Sequence, residues 1–240
     1  MLSHPLDVAL LGPDTQVTSR SIDRFAKAHD ASHYLLVPEA ILSPLDAAGV
    51  ARVFKAVRAA GHTLTFRSGG TSLSGQGVSA DILVDTRSAF RDISVEQDGA
   101  LVRVGPGATV RQVNTRLARH GRKLGPDPAS EIACTIGGVI ANNSSGMACG
   151  ITENSYRTID SLLLVLPSGT VLDTGAADAL AQLESAEPAI AQGLRDLRAR
   201  LLAEPDDVAF LRHQFSMKNT MGYGLNALLD FDDPVRILEH

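Results

Sequence analysis

The sequence predicts an α+β protein with mixed strand directions and helices set between strand pairs. Three observations predict it. A strand, helix, strand succession runs straight into a glycine-rich loop at residues 67–75. An Asp98-Gly99 dipeptide separates two short apolar runs, and residues 176–202 are rich in Ala and Leu.

The elements follow in order. Ile22, Phe25 and Ala26 recur at helical spacing, so a helix is expected over residues 19–29. Tyr34-Leu35-Leu36-Val37 reads as a short buried strand stopped by Pro38. Val50, Val53, Phe54 and Val57 give an amphipathic helix over residues 44–60, with Gly61 just past its end. Leu64-Thr65-Phe66 and Ile82-Leu83-Val84 are apolar strands. Residues 93–96 and 101–104 flank Asp98-Gly99 as an antiparallel hairpin. Val110, Val113 and Leu117 place a helix over residues 108–120, with Gly121 after it. Another helix is expected over residues 135–140. Residues 162–166 form a strand turned back at Pro167-Ser168-Gly169 into Val171-Leu172, and the helical stretch over 176–202 should break near Pro188.

Composition narrows the function. The 240 residues are 44% apolar, enough for a sizeable core, and fit one large domain or a main domain with a partial second one. Lys and Arg number 22 against 27 Asp and Glu, Trp is absent and aromatics reach only 4%, which argues against nucleic acid as a partner. Cys134 and Cys149 form no Cys-x-x-Cys pair, and the seven histidines show no ligand spacing, so neither a disulfide framework nor a metal site is expected. No secretory signal is read at the N-terminus, and a cytoplasmic protein is expected. Residues 132–152 carry no charge, yet Gly137, Gly138, Gly146 and Gly150 with Asn142, Asn143, Ser144 and Ser145 interrupt them too often for a transmembrane segment.

Three neutral, glycine-bearing loops carry the chemistry. The first, Arg67-Ser68-Gly69-Gly70-Thr71-Ser72-Leu73-Ser74-Gly75, directly follows a strand. Its glycines let successive backbone N–H groups turn toward one anion such as a diphosphate, and its hydroxyls add donors. It lacks the lysine of a Walker loop and the spacing of the Gly-x-Gly-x-x-Gly fingerprint. The second, Pro126-Asp127-Pro128-Ala129-Ser130 with Thr135-Ile136-Gly137-Gly138, is a rigid turn leading to a helix start where amides can approach a phosphate. In the third, Asn142-Asn143-Ser144-Ser145-Gly146 and Gly150 offer neutral donors and acceptors suited to a polar uncharged chain such as ribityl. Each loop alone is equally a surface connection or a packing turn. Three within residues 67–150 favour a ligand, since glycines weaken regular structure. Arg111, Arg116, Arg119, Arg122 and Lys123 make a basic helix face, most simply a solvated one.

In order and spacing these motifs, with residues 159–169 before a hairpin, resemble the flavin-dependent oxidases and dehydrogenases of the vanillyl-alcohol oxidase type, and among them the D-lactate and glycolate dehydrogenase branch. Asn142-Asn143-Ser144-Ser145-Gly146-Met147 and Lys218-Asn219-Thr220-Met221-Gly222-Tyr223-Gly224-Leu225 resemble the large members in which the flavin unit is fused to an iron–sulfur domain.

The resemblance implies a two-subdomain PCMH-type FAD-binding fold. A small N-terminal βαβ portion to about Asp85 would pack on a larger mixed sheet with flanking helices, with FAD between them. It implies a helical extension over 1–30, the FAD-binding domain over 31–174 in subdomains of about 31–85 and 86–174, and a helical segment over 175–240 that begins the remaining flavin and substrate region. The chain is then expected to be a fragment whose C-terminal part is truncated. FAD would be noncovalent, since no histidine lies in the flavin loops, and an iron–sulfur cluster would belong only to a further domain.

By the same resemblance the first loop and the Ile136-Gly137-Gly138 turn grip the FAD diphosphate. Residues 126–130 and 142–150 lie along the ribityl and ring portions, and Ile159 meets adenine through its backbone. The implied reaction is oxidation of a D-2-hydroxy acid such as D-lactate or glycolate by hydride transfer to flavin N5, with a quinone or cytochrome as downstream acceptor and a cytoplasmic or peripheral inner-membrane location. The alternative is a non-catalytic flavin-binding or interaction module. Cys149 stands where the family has an aromatic, and the stretch between Gly150 and Ile159 is longer than usual.

Overall fold

The computed structural model describes residues 6–218 and 223–240, so Asn219, Thr220, Met221 and Gly222 of the last motif lie outside the described residues. The chain divides into two compact units. One comprises residues 1–124, 128–139 and 167–169, the other residues 125–127, 140–166 and 170–240.

The first unit opens with α1 (Val8–Leu11), β1 (Thr15–Thr18) and α2 (Ser21–Ala26), followed by β2 (Ala40–Pro44), α3 (Ala47–Ala59), β3 (Leu64–Arg67) and β4 (Ile82–Asp85). The four strands form one sheet in the order β1-β2-β4-β3. β2, β4 and β3 run parallel and β1 pairs antiparallel to β2. β4 is buried at all four positions, which is why it carries the unbroken apolar run Ile82-Leu83-Val84. Leu42, Val53, Val57, Ile82 and Val84 meet in one cluster, each side chain contributing about 1.5–3 kcal/mol on burial. α3 is started by Asp46, whose carboxylate accepts from the Gly49 N–H at 2.6 Å, and Gly61 follows its end at φ +74°.

The expected strand at residues 34–38 is a correction. Tyr34 and Leu35 are 59% and 68% exposed, and the strand begins beyond the proline at Ala40. Two apolar runs flank Pro38, and the one that can lie between β1 and β4 takes the sheet; Leu36 instead sends its N–H to the Ala28 carbonyl at 2.8 Å. The helix expected over 19–29 is only α2, and β1, which sits just before it, has no counterpart in the sequence reading because Val17 is its one apolar residue.

Beyond β4 come β5 (Ile93–Glu96) and β6 (Leu101–Val104), an antiparallel pair around a 3₁₀ turn in which Asp98 takes φ +53°. α4 (Val110–Leu117) starts in a full capping box between Thr109 and Gln112, and Gly121 follows in the left-handed region. α5 (Ile136–Ala141) spans the boundary between the units.

The second unit holds α6 (Ser155–Thr158), the hairpin strands β7 (Leu163–Val165) and β8 (Val171–Asp173), and then α7 (Ala179–Ala186), α8 (Pro188–Leu202), α9 (Pro205–Phe215), α10 (Ala227–Asp230) and α11 (Pro234–Glu239). Pro188 is the first residue of α8, where its missing N–H is harmless, so the expected break falls there. Leu172, Leu183, Ala191 and Val235 form one core cluster and Tyr156, Leu228 and Ile237 another. The architecture is α+β with parallel and antiparallel strands, as the sequence predicts. The strands after β4, expected in one larger mixed sheet, are found among the described residues as two separate two-stranded hairpins, each closed by its own local turn. Among the described residues no helix is long and apolar enough to cross a membrane.

Candidate functional site

The glycine loop leaves the sheet at the carboxyl ends of β3 and β4, where Arg67 and Asp85 are paired in register. Open parallel sheets bind ligands at this end of their strands. The loop is held from below. The Ala31 N–H donates to the Gly70 carbonyl at 3.1 Å, and the Gly77 N–H donates to Asp30 at 3.3 Å. The buried Arg67 guanidinium donates to the carbonyls of Gly77 at 3.1 Å and Lys27 at 3.3 Å, and the Lys27 ammonium reaches Asp85 at 2.6 Å. Burial pulls Arg67 below its ordinary value, opposed by the charges of Asp30 and Asp85. Burial by itself would raise Asp30; hydrogen bonds from Ser32 and Gly77, with the Arg67 charge, outweigh it and hold the carboxyl below the usual range. Arg67 thus supports the loop from inside.

Gly70 has φ +67° and lies directly over the Arg67 guanidinium, so a side chain there would be strained and would collide. Gly69 passes so near the 130–135 segment that a Cβ would stand 2.5 Å from the Ala133 carbonyl oxygen. Ser68 and Thr135 tie the two motifs together, Thr135 Oγ1 donating to Ser68 Oγ at 2.7 Å across 67 residues of sequence.

The backbone donors then sort themselves. Among the described residues the N–H groups of Gly69, Gly70, Thr71, Ser72 and Leu73 donate to no protein acceptor. In the Thr135 turn, Ile136 donates to the Ala108 carbonyl at 2.9 Å and Gly137 to the Pro106 carbonyl at 3.0 Å, so both amides are engaged by the fold. Gly137 is required for packing, since a Cβ would come within 2.7 Å of Pro106. The exposed Gly138, whose N–H has no protein acceptor among the described residues, is the open donor of that turn. A cradle of neutral N–H groups next to two hydroxyls suits a diphosphate, which needs several donors and close backbone approach.

The other sequence-predicted residues fall in the second unit, apart from Pro128 and Ser130, which belong to the first. Ser130 accepts the N–H groups of Ala133 and Cys134, each at 2.8 Å. Asp127 accepts from the N–H groups of Ala148 at 3.1 Å and Cys149 at 3.2 Å, with Gly146 pressed against it. Asn143, at φ +44°, accepts the Tyr156 N–H at 3.0 Å, and Ser144 accepts the Ser155 N–H and hydroxyl through its carbonyl. Lys218 donates to the Gly146 carbonyl at 2.5 Å. Ile159 gives its N–H to Ser155. Much of the 142–150 loop's polarity therefore holds the loop itself.

The supports Lys27, Asp30 and Ala31 had no signal in sequence; the Gly105-Pro106-Gly107 turn against which Gly137 packs did. Sequence spacing also missed Glu39, His62 and Asp81, whose ligand-type atoms lie within 4.8 Å of one another. They precede three different strands. His62 Nδ1 and Asp81 share a 2.6 Å hydrogen bond, and Thr63 holds the other Asp81 oxygen through its N–H at 2.6 Å, an arrangement that links the strand starts.

The family model for the FAD binding domain, FAD_binding_4, matches residues 38–175, more than half of the chain, and these contain all three loops. This chain belongs to that family. The resemblance to PCMH-type, vanillyl-alcohol oxidase proteins is thereby borne out. Relatives include the D-2-hydroxyglutarate dehydrogenase of Haemophilus influenzae, 27% identical over 221 residues, covering 85% of this chain and 21% of the relative. The glycolate oxidase subunit GlcD of Escherichia coli is 29% identical over 175 residues, covering 68% and 34%. The chain spans about a fifth and about a third of their lengths. Among solved structures, 6-hydroxy-D-nicotine oxidase from Arthrobacter nicotinovorans superposes with a TM-score of 0.61 at 22% identity, over 74% of this chain and 38% of that one, a likeness of fold. The residues present are compatible with the family's cofactor: Gly69 and Gly70 let the loop pass close to the Ala133 carbonyl and the Arg67 guanidinium, where a Cβ would collide, and the N–H groups left open there are neutral donors of the kind a diphosphate would take.

Proposed function

We propose that this chain is the FAD-holding part of an oxidoreductase acting on D-2-hydroxy acids, the class to which D-2-hydroxyglutarate, D-lactate and glycolate oxidation belong, with FAD held noncovalently. The Ser68–Thr135 hydrogen bond carries the reading, because it gathers two glycine-bearing turns into one set of open amides. In this reading the N–H groups of Gly69, Gly70, Thr71, Ser72, Leu73 and Gly138 neutralise the diphosphate, while Arg67, Asp30 and Ala31 hold the loop in shape. Ile136 and Gly137 serve as packing residues of the same cradle. For Pro126, Asp127, residues 142–150 and Ile159, the ribityl, ring and adenine roles rest on the motif resemblance alone.

Bound FAD supplies the hydride acceptor, flavin N5. This chain's own residues bind it and fix its position. The names of the relatives support the substrate class, and an electron acceptor such as a quinone or cytochrome goes with that class.

The test is anaerobic mixing of the FAD-loaded protein with D-2-hydroxyglutarate, D-lactate and glycolate in turn. Bleaching of the yellow flavin band by one of them supports the reading. Bound flavin that none of the three reduces favours a flavin-binding module without turnover, and failure to take up FAD at all overturns the reading.

A further inference from the structure

Two adjoining recesses on the first unit are walled by arginines from separate parts of the chain. The first, of about 290 Å³, is lined by Arg87 and Arg91 from the segment after β4 and by Arg111 and Gln112 of the first turn of α4. The second, of about 450 Å³, shares Arg91, Arg111 and Gln112 and adds Arg116 and Arg119. Five arginines therefore line these two neighbouring open recesses in a chain whose net charge is −5. Arg111 is paired with Glu131 at 2.8 Å, and among the described residues the other four are in no ion pair.

A solvated helix face explains Arg116 and Arg119. It does not explain why Arg87 and Arg91, about twenty residues earlier, come to the same hollow. Like charges so gathered repel one another, and an anion relieves the repulsion. The guanidinium fork matches phosphate and carboxylate oxygens in pairs.

We propose that this recess binds a small polyanion, a molecule carrying two or more phosphate or carboxylate groups, at a place separate from the FAD diphosphate cradle. No residue of the 68–75 loop or of residues 135–138 lines it; Gly107 and Thr109, which do, stand between it and the Thr135 turn. Arg91 and Arg111, which border both recesses, are the central contacts, with Arg87 closing one side and Arg116 and Arg119 the other. The arginines are exposed, so binding weakens as salt rises over the range in which the screening length falls below about 10 Å.

The experiment uses the chain saturated with FAD, so that the diphosphate cradle is filled. Pyrophosphate and citrate are titrated separately by calorimetry at low ionic strength, with sodium chloride as the control anion. Saturable one-to-one binding of at least one probe is expected, and which probe binds tells phosphate from carboxylate chemistry. Arg91→Gln and the double variant Arg87→Ala/Arg91→Ala should weaken it about tenfold or more, as removal of a charged hydrogen-bond partner does, while Arg122→Ala, on the same basic helix end but outside the recess, should leave it unchanged. Melting curves of each variant confirm folding, and these exposed positions should leave them unaltered. The proposal is overturned if neither probe saturates, if the Arg91 variants bind as well as the parent, if only a long polyacid such as polyglutamate binds, or if Gly69→Ala abolishes binding while the Arg91 variants keep it.

Discussion

Gly69→Ala puts the cradle under a steric load whose size can be read from the structure. The new methyl group would stand 2.5 Å from the Ala133 carbonyl oxygen and 3.0 Å from Cys134 Cα, both backbone atoms. That backbone is fixed: the N–H groups of Ala133 and Cys134 both donate to Ser130 at 2.8 Å, and the Cys134 carbonyl accepts from Val110 at 3.3 Å. The loop must therefore retreat by about 0.9 Å to reach ordinary contact at 3.4 Å. Overpacking of this kind costs about 1–3 kcal/mol of stability. The same displacement misaligns the N–H groups of residues 69–73. Each charge-assisted bond to a phosphate is worth about 1.5–3 kcal/mol, so losing one weakens FAD at least about tenfold. Flavin fluorescence titration gives Kd and a thermal melt gives stability. Gly193→Ala is the control, because it lies inside α8 with no atom within 4 Å of the added methyl group; it should gain about 0.5–1 kcal/mol and leave Kd alone. A Gly69→Ala protein that melts with the parent and binds FAD within about twofold of it would refute the reasoning.

Other outcomes follow from the supports. Arg67→Met removes a buried guanidinium and leaves the Lys27 and Gly77 carbonyls without their donor, so stability should fall by about 2–4 kcal/mol and FAD affinity with it; an unchanged melt would remove Arg67 from the support role. Asp30 has a lowered pKa, so its stabilisation is complete above the unfolded value of about 3.9 and disappears as pH falls through the lower folded value. The melting temperature should be insensitive to this group from pH 5 to 8 and drop below about pH 4, and Asp30→Asn should flatten that acid limb; coincident acid limbs in the two proteins would contradict the assignment. Asn143→Ala loses the acceptor of the Tyr156 N–H and places alanine at φ +44°, so a loss of about 2–3 kcal/mol is expected on thermal or urea unfolding.

The parts of the fold legible in the sequence are those decided locally. Asp98-Gly99 can turn a hairpin by its own backbone preferences, Pro188 can only begin a helix, and Leu64-Thr65-Phe66 running into glycines has few other readings. The parts missed are those decided by packing. Residues 34–37 and 40–42 are both apolar runs beside Pro38, and only the presence of β1 and β4 on either side selects the second as a strand.

The candidate site divides in the same way. Glycine and hydroxyl content marked the loop; what it did not reveal is that Gly69 and Gly70 are small because the Ala133 carbonyl and the Arg67 guanidinium stand against them. Which N–H groups remain open could not be read, since the acceptors of Ile136 and Gly137 lie some thirty residues earlier at Ala108 and Pro106. Lys27 meets Asp85 across 58 residues, and the fold alone makes that ion pair visible. The basic face of α4 was legible from its spacing; the arrival of Arg87 and Arg91 beside it was not.

The most direct measurement is a titration of the purified chain with FAD, followed by gel filtration and a thermal melt. The account predicts saturable one-to-one binding, yellow protein eluting at the position of the folded chain, and a melting temperature that rises with FAD concentration. Colourless protein after gel filtration, with a melt indifferent to excess FAD, would contradict it.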